Sequence, residues 1–283
     1  MLKIGIIGGG FVGSATYLLN CKDVECRIYD KDESKCVPKG TTLEDLQDRD
    51  IIFICVPTPM LKDGSCYTKI VETVLNDIIQ LESKAQIVVR STIPVGSCKK
   101  WGVHFMPEFL TEANWKNDFY NCDNWIIGVN QDCKDYMDFY VKFSELINHA
   151  YMNECIKSNQ IRCVTTEEAE TIKYFRNCFL ATKIGFCNEF YRFCNAKGIS
   201  YDKVSEIACL DNRITSYHSK VPGPDGSTGF SGHCLPKDLN SMIYQMYNSD
   251  VKPIILQSVK IRNEDIDRVD KDWEKDKGRA VIN

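Results

Sequence analysis

A glycine-rich turn near the start of the chain is the feature that most constrains the fold. The apolar run KIGIIG (3–8) leads directly into GGGFVG (8–13), and a helical pattern follows. Gly8, Gly10 and Gly13 have the spacing G-x-G-x-x-G, which gives a tight turn, a close backbone approach to a ligand and close helix–strand packing, respectively. This order of strand, turn and helix predicts the start of a parallel α/β sheet.

The residues around this turn predict the ligand. Asp30 ends the second predicted strand, about twenty residues further on, where a carboxylate binds the ribose hydroxyls of a dinucleotide. An acidic residue there favours NAD over NADP, because it would repel a 2′-phosphate. The alternative is a glycine-rich turn without a ligand. The sequence therefore predicts NAD as the cofactor, bound by Gly8, Gly10, Phe11, Val12, Gly13 and Asp30.

The first half of the chain alternates β-rich and helical segments, which is typical of a parallel α/β sheet. We predict an α/β protein with two domains: a Rossmann-like NAD-binding domain (1–164) and a smaller all-helical domain (165–283). The connections 31–50 and 97–102 are short for crossover helices. Strands are predicted at 3–8, 25–30, 50–56, 86–91, 103–106, 125–129 and 162–164, and helices at 11–20, about 68–81 and 132–147.

One long helix opens the second half. It begins with a capping box, Thr165 with Glu168, and ends near Gly198. It is apolar on most sides, so we expect a central, buried helix. Shorter helices are predicted at about 200–210, 236–247 and 251–263, and the densely charged tail after Asn263 is expected to form a solvated last helix or to fray.

The composition excludes several classes of protein. The net charge of −4 argues against a nucleic-acid binder. The fifteen cysteines are an odd number without any C-x-x-C pair, which argues against a disulfide scaffold and a zinc site. The apolar stretch at the start of the chain is too short and too rich in glycine for a signal peptide. No run of eighteen apolar residues occurs, so no membrane-spanning helix is expected. We therefore expect a reduced, cytoplasmic protein.

A polar stripe runs along the long helix. Lys173 and Asn177 are four residues apart and share a face. At helical spacing, Ala181, Ile184 and Asn188 lie on the same stripe. A lysine in a cleft could stabilise an oxyanion or act as an acid or base, and the alternative is a surface stripe whose lysine reaches water along its stem.

The segment GFSGHCLPKD (229–238) places one cysteine in a polar, glycine-rich context. Pro236 suits the first position of a helix, so Cys234 is predicted just before a helix N-terminus and near Lys237. Both features favour the nucleophilic thiolate. The alternative is a buried structural thiol in a turn.

Three neighbours of this cysteine complete the predicted site. Asp238 could hold or activate a water molecule. Gly229 and Gly232 would let a substrate approach the backbone.

Taken together, these segments resemble the UDP-glucose/GDP-mannose dehydrogenase family. The resemblance covers essentially all of 1–263, and each motif is weak to moderate alone but highly specific in this order. The motifs are GGGFVG (8–13), VPTP (56–59), STIPVG (91–96), PEFLTEA (107–113), NDFYNCDNWIIG (117–128), EAETIKYFRN (168–177), FCNE (186–189), DNR (211–213) and GFSGHCLPKD (229–238).

The resemblance implies a reaction and site residues. Members of the family oxidise the primary alcohol of a nucleotide sugar to a carboxylate with two NAD⁺, and UDP-glucose is the expected substrate. Cys234 would attack the aldehyde intermediate, and water would hydrolyse the resulting thioester. Further implied roles are water activation by Asp238 with Glu112 and Thr92; oxyanion stabilisation by Lys173 and Asn177; NAD contacts by Lys35, Thr58, Thr92, Glu112 and Lys237; and substrate contacts by Glu108, Phe109, Leu110, Lys173, Asn177, Arg213, His218 and Gly232.

The resemblance also implies that the helical domain (165–283) serves catalysis and dimerisation, with a homodimer formed through the long helix. Family members continue into a third domain that binds the nucleotide, and this sequence is expected to be a short form without it. Ser231 stands where the family has a glycine, and the insertion VPGPDGST (221–228) lengthens the loop before the cysteine.

Two alternatives from the sequence stay open at this stage. A two-electron β-hydroxyacid-type dehydrogenase would share the glycine-rich turn and the Lys/Asn helix but would not need the cysteine segment. A non-catalytic NAD- or nucleotide-binding module would need neither Cys234 nor Asp238.

Overall fold

The computed structural model describes residues 1–282 and contains a seven-stranded, mostly parallel sheet followed by a helical region. The strand order is β2-β1-β3-β4-β5-β6-β7. The predicted Rossmann-like fold class is confirmed. The strands are β1 Leu2–Ile7, β2 Val24–Tyr29, β3 Ile51–Ile54, β4 Gln86–Val89, β5 His104–Phe105, β6 Trp125–Val129 and β7 Ile161–Thr165.

The sheet departs from the predicted all-parallel arrangement at one pair. β5 and β6 are antiparallel and meet at Phe105 and Gly128. Antiparallel neighbours need no helical crossover between them. The connection between these strands accordingly carries only a 3₁₀ turn at Glu112–Asn114 and the six-residue helix Trp115–Tyr120.

Nine α-helices lie within residues 1–282. The predicted long helix and the predicted helices at 68–81 and 236–247 are confirmed to within one or two residues at either end. The short helix at 97–101 and the one at 115–120 were missed. The helices are α1 Phe11–Thr16, α2 Lys69–Gln80, α3 Ser97–Trp101, α4 Trp115–Tyr120, α5 Tyr136–Met152, α6 Thr166–Lys197, α7 Tyr201–Ala208, α8 Leu235–Asn248 and α9 Ile254–Arg262.

Both faces of the sheet are covered, because strand side chains alternate between two apolar cores. In β3 all four side chains are buried. Ile51 and Phe53 join the core that contains Phe139 and Phe143 of α5. Ile52 and Ile54 join the core that contains Val71 and Leu75 of α2.

The chain divides by its contacts into two compact units. The first contains residues 1–58 and 68–173, and the second contains 59–67 and 174–282. The domain boundary at 164/165 stays a prediction. None of the helices in residues 1–282 is both long and apolar enough to cross a membrane.

The long helix α6 begins as predicted, with Thr165 and Glu168 bonded reciprocally: Thr165 N donates to Glu168 Oε2 (2.8 Å), and Glu168 N donates to Thr165 Oγ1 (3.2 Å). Gly198 ends it with a positive φ of 68°. The expectation of burial on most sides was wrong, because five phenylalanines lie exposed along one face. They are Phe175, Phe179, Phe186, Phe190 and Phe193.

The expectation for the charged tail was also wrong. Trp273 and Ala280 are buried. Met60 N donates to the Ala280 carbonyl (2.9 Å), and Ile282 N donates to the Met60 carbonyl (3.0 Å). The charged sequence pattern conceals this packing because only a few residues of the tail face inward.

Within the first unit, a buried carboxylate fixes the start of α6 to α3. Glu170 accepts hydrogen bonds from Gly96 N (2.5 Å) and Cys98 N (2.9 Å). Burial raises the pKa of the Glu170 carboxyl to about 7, and the two N–H groups offset only part of this effect. Protonation of this carboxyl therefore stabilises the fold.

We expect the variant Glu170→Gln to remove a pH-dependent part of the stability. The ordinary pKa of glutamate in an unfolded chain is about 4.3, so the Glu170 contribution is complete below that pH and is lost as the pH rises through 7. The free energy of unfolding of the wild type should fall by about 3 kcal/mol from this group between pH 4 and pH 8. Urea denaturation at several pH values measures it.

Glutamine does not titrate in this range and keeps an oxygen acceptor for one of the two N–H groups. The exposed Glu145 of α5 provides a matched control through Glu145→Gln, which should keep the wild-type pH dependence. An unchanged slope in Glu170→Gln would contradict the assignment.

Candidate active site

The glycine-rich turn has the geometry that the spacing predicts. Gly8 has a positive φ of 104°. A Cβ on Gly13 would lie 1.9 Å from the Gly8 carbonyl oxygen, so no side chain fits there. A Cβ on Gly10 would meet nothing within 4 Å, so the space in front of this backbone is open. The turn thus offers the close backbone approach that a pyrophosphate needs.

Asp30 stands at the end of β2 beside this turn. Its Oδ2 accepts a hydrogen bond from Gly9 N (2.6 Å), and its Oδ1 accepts one from Asp32 N (2.8 Å). Lys35 pairs with Asp32 at 3.2 Å. The carboxylate predicted to bind the ribose is therefore held in place, and these residues fit an NAD molecule.

Two predicted NAD contacts meet beyond the carboxyl ends of β3 and β4. The buried Thr58 Oγ1 donates to the Thr92 carbonyl (2.7 Å). Ligands of open α/β sheets bind at this edge. Glu112 lies exposed at the start of its 3₁₀ turn, in the same unit. The roles predicted for Thr92 and Glu112 stay predictions.

Lys173 is buried in the first unit and is not the surface lysine of the alternative interpretation. Its Nζ lies 2.9 Å from Glu108 Oε2 and donates to the Glu108 carbonyl (2.5 Å). The ring of Phe109 lies 5.6 Å from the same Nζ. Glu108 also accepts from Leu110 N (2.5 Å). Burial of an ammonium requires such partners, so Glu108 fixes the position of Lys173.

The second unit contains a buried polar network around Asp238. This residue has no exposed surface. Asn177 Nδ2 donates to Asp238 Oδ2 (2.5 Å), and Lys237 Nζ lies 2.6 Å from Asp238 Oδ1. Both carboxylate oxygens therefore have donors, as a buried charge requires.

Cys234 is the N-cap residue of α8, and its carbonyl accepts from Asp238 N (2.8 Å). Pro236 follows in the first turn, one position later than predicted. Burial lowers the pKa of the Lys237 ammonium, but attraction to Asp238 and to the thiolates of Cys66 and Cys234 outweighs it and holds that pKa above its ordinary value. The ammonium therefore stays charged and favours the thiolate of Cys234.

Of the two glycines in the cysteine segment, Gly229 differs from the prediction and Gly232 does not. A Cβ on Gly229 would lie 2.5 Å from Asn263 Oδ1, so its close approach is to the protein and not to a substrate. Gly229 N also donates to Asn188 Oδ1 (3.0 Å), which gives the last residue of the polar stripe a structural role. Gly232 has a φ of 78°, and a Cβ on it would meet nothing within 4 Å. The open space at its backbone is compatible with the predicted approach of a substrate.

Two predicted substrate contacts lie on an exposed loop after α7. Arg213 forms a two-pronged ion pair with Asp211, with Nη2–Oδ2 at 2.5 Å. His218 has a positive φ of 61°, and burial and the neighbouring Lys183 lower the pKa of its imidazole. Their predicted roles stay predictions.

Two comparisons with sequence models of protein families decide the family. The NAD-binding domain of the UDP-glucose/GDP-mannose dehydrogenase family matches residues 39–147, and the central domain of the same family matches residues 167–265. The chain belongs to the UDP-glucose/GDP-mannose dehydrogenase family. The expectations of NAD as the cofactor and of an oxidoreductase acting on CH–OH groups are confirmed at the level of this family.

Individual relatives agree with this assignment. The UDP-glucose 6-dehydrogenase of Rickettsia bellii is 33% identical over 238 residues, which cover 77% of this chain and 51% of that protein. The enzyme of the same name from Streptococcus pneumoniae is 27% identical over 275 residues, covering 85% and 68%. The chain therefore spans about half to two thirds of the length of these relatives.

A solved structure supports the fold of this family member. A UDP-glucose dehydrogenase from Pyrobaculum islandicum superposes with a TM-score of 0.78 at 23% identity, over 93% of this chain and 68% of that one.

Two alanine substitutions should separate folding from cofactor binding in the glycine-rich turn. Gly13→Ala should lower the free energy of unfolding by about 3 kcal/mol, because its Cβ overlaps the Gly8 carbonyl. Gly10→Ala should leave the stability nearly unchanged and weaken NAD binding, because its Cβ fills only the open space. Urea denaturation and NAD titration by calorimetry measure the two effects. Equal losses of stability in both variants would contradict this account.

Proposed function

We propose that this protein oxidises the primary alcohol of UDP-glucose to the carboxylate in two successive two-electron steps. The position of Cys234 carries the proposal: a thiol at a helix N-terminus beside a buried ammonium suits a second oxidation, which needs a covalent adduct. A dehydrogenase that carries out a single hydride transfer does not need a nucleophilic thiol. The relatives named UDP-glucose 6-dehydrogenase support UDP-glucose as the substrate.

The residues of the glycine-rich turn and Asp30 would hold the cofactor. NAD⁺, when bound, supplies the hydride acceptor for both oxidations. Open space at Gly10 accommodates the pyrophosphate, and the fixed carboxylate of Asp30 accepts hydrogen bonds from ribose hydroxyls. We propose further cofactor contacts for Lys35, Thr58 and Lys237.

The thiolate chemistry divides a difficult oxidation into two easier steps. The sulfur of Cys234 forms a bond to the aldehyde carbon, and the carbonyl oxygen becomes the hydroxyl of a thiohemiacetal after taking a proton. Loss of that proton and of a hydride gives a thioester. Water then attacks the carbonyl carbon, the C–S bond breaks, and the carboxylate and the thiol are released.

Two buried polar side chains suit the charges that develop on oxygen. Lys173 and Asn177 are proposed to stabilise the oxyanions, since preorganised donors lower the barrier of such steps. Asp238 fixes Asn177 and Lys237. We further propose that it contributes to activating the hydrolytic water, with Thr92 and Glu112 positioning it.

A comparison of two cysteine variants tests the proposed reaction. Cys234→Ala should abolish release of the sugar acid, a loss of about 10³-fold or more, because no thioester forms. Cys163→Ala removes an exposed thiol on β7 and should keep wild-type activity. The readout is acid formation from UDP-glucose, UDP-N-acetylmannosamine and GDP-mannose with NAD⁺. Wild-type acid formation by Cys234→Ala would refute the thioester route.

We also propose that the protein is a homodimer joined through α6. The five exposed phenylalanines lie on the helix face opposite to Asn177, Ala181 and Asn188, which are buried. They span nineteen residues (175–193), or about 27 Å along the helix axis. An apolar stripe of this length on a soluble protein requires a cover, and the same stripe of a second copy supplies one.

We propose that the protein is cytoplasmic. The fifteen cysteines, with no disulfide in residues 1–282, fit the reducing cytoplasm.

Light scattering tests the dimer. The wild type should show the mass of two 32.4 kDa chains at micromolar concentration, and Phe179→Arg should show one. The matched control is Met152→Arg, which places the same charge on an exposed apolar residue of α5 and should stay dimeric. A wild-type monomer would refute the proposal.

A further inference from the structure

The C-terminal segment 264–282, which we name the strap, belongs to the second unit and packs against other residues of it. Its buried Trp273 and its backbone bonds to Met60 anchor it. Most of it lies beyond residue 265, where the match to the family's central domain ends. Nothing in the reaction proposed above uses the strap, so its contacts call for a separate explanation.

The strap and the residue before it hold the loop 225–233, which precedes Cys234. Asn263 exchanges two hydrogen bonds with the backbone of Phe230, at 2.8 and 2.9 Å. Thr228 Oγ1 donates to the Asp267 carbonyl (2.8 Å), and Arg268 pairs with Asp225. The loop is therefore attached at several points along its length.

Two strap carboxylates continue these contacts up to the cysteine. Ser231 Oγ donates to Asp272 Oδ1 (2.5 Å). His233 Nδ1 lies 2.5 Å from Asp276 Oδ2, and both side chains are partly buried. The Ser231–Asp272 hydrogen bond has a charged acceptor and is therefore stronger than one between neutral groups. Partial burial of the His233–Asp276 pair reduces the screening of its charges by salt. Asp276 is itself fixed, since its carbonyl accepts from Ala280 N (3.1 Å).

His233 directly precedes Cys234 in the chain. A fixed imidazole limits the backbone dihedrals that lead into the N-cap residue of α8. The placement of the thiol relative to Lys237 depends on that backbone, because Cys234 lies at the junction of loop and helix. A small misplacement of a reacting group is costly for the rate of reaction.

We propose that the strap is a positioning element for the nucleophile, with Asp276 acting on Cys234 through His233. The inference rests on the proposed role of Cys234. Asp276 and His233 are positioning residues: they order the thiol and do not bind the cofactor.

The test measures the thiol and the reaction separately in the full chain. In Asp276→Ala, kcat for acid formation should fall about tenfold with KM for NAD⁺ unchanged, because only the steps at the thiol suffer. Alkylation of Cys234 by iodoacetamide, followed by peptide mass spectrometry, should become at least about threefold faster, since the released loop exposes a partly buried thiol. The exposed Cys163 serves as the internal reference and should not change.

Further variants test whether the effect comes from the His233–Asp276 contact in particular or from any change in the strap. His233→Ala and the double variant should match Asp276→Ala, because each breaks the same pair. Asp276→Asn keeps an oxygen at the site and should lose less activity. Asp270→Asn changes an exposed strap carboxylate and should behave as the wild type.

Unchanged kcat and unchanged Cys234 alkylation in Asp276→Ala would overturn the proposal. If Asp276→Ala unfolds, the buried Cys26 and Cys98 become reactive as well. Ser231→Ala, which removes one hydroxyl, then decides by the same two readouts. If the wild type oxidises no nucleotide sugar, the proposed function fails, whereas the alkylation result still decides the role of the strap.

Discussion

The contacts of the buried Asp238 carboxylate with Asn177 and Lys237 organise the second unit. An uncompensated charge at this depth would cost several kcal/mol, so Asn177 and Lys237 must both face it. Asn177 lies on α6 and Lys237 on α8, and apolar residues of both helices share one core with Phe230 and Val259. The ion pair keeps Lys237 charged, and the charged lysine favours a thiolate at Cys234. The Lys237–Asp238 contact thus serves both the packing of the second unit and the proposed reactivity of Cys234.

Local signals in the sequence predicted most of the fold. The capping box of Thr165 and Glu168 set the start of α6 to within a residue, and Gly13 fixed the first turn, because each acts on neighbouring backbone. Short β-rich runs located all seven strands. The direction of β5 relative to β6 depends on their pairing and on the intervening chain, so short runs of residues could not show it.

Contacts between distant residues account for what the sequence could not show in the candidate site. The polar stripe was visible at helical spacing, but the partner of Lys173 is Glu108, 65 residues away. Gly229 was expected to face a substrate and instead faces Asn263. The charged tail was expected in water, yet Asp272 reaches Ser231 across 41 residues. Composition gives a carboxylate no preferred partner, and only the packed structure assigns one.

The proposed four-electron oxidation through Cys234 needs two hydride transfers for each molecule of sugar nucleotide. The most direct measurement is the number of NADH molecules formed per molecule of UDP-glucose consumed by the wild-type protein, followed by absorbance and by chromatography of the sugar nucleotides. We expect two NADH and one UDP-glucuronate for each UDP-glucose. One NADH per sugar, with the aldehyde as the end product, would contradict it.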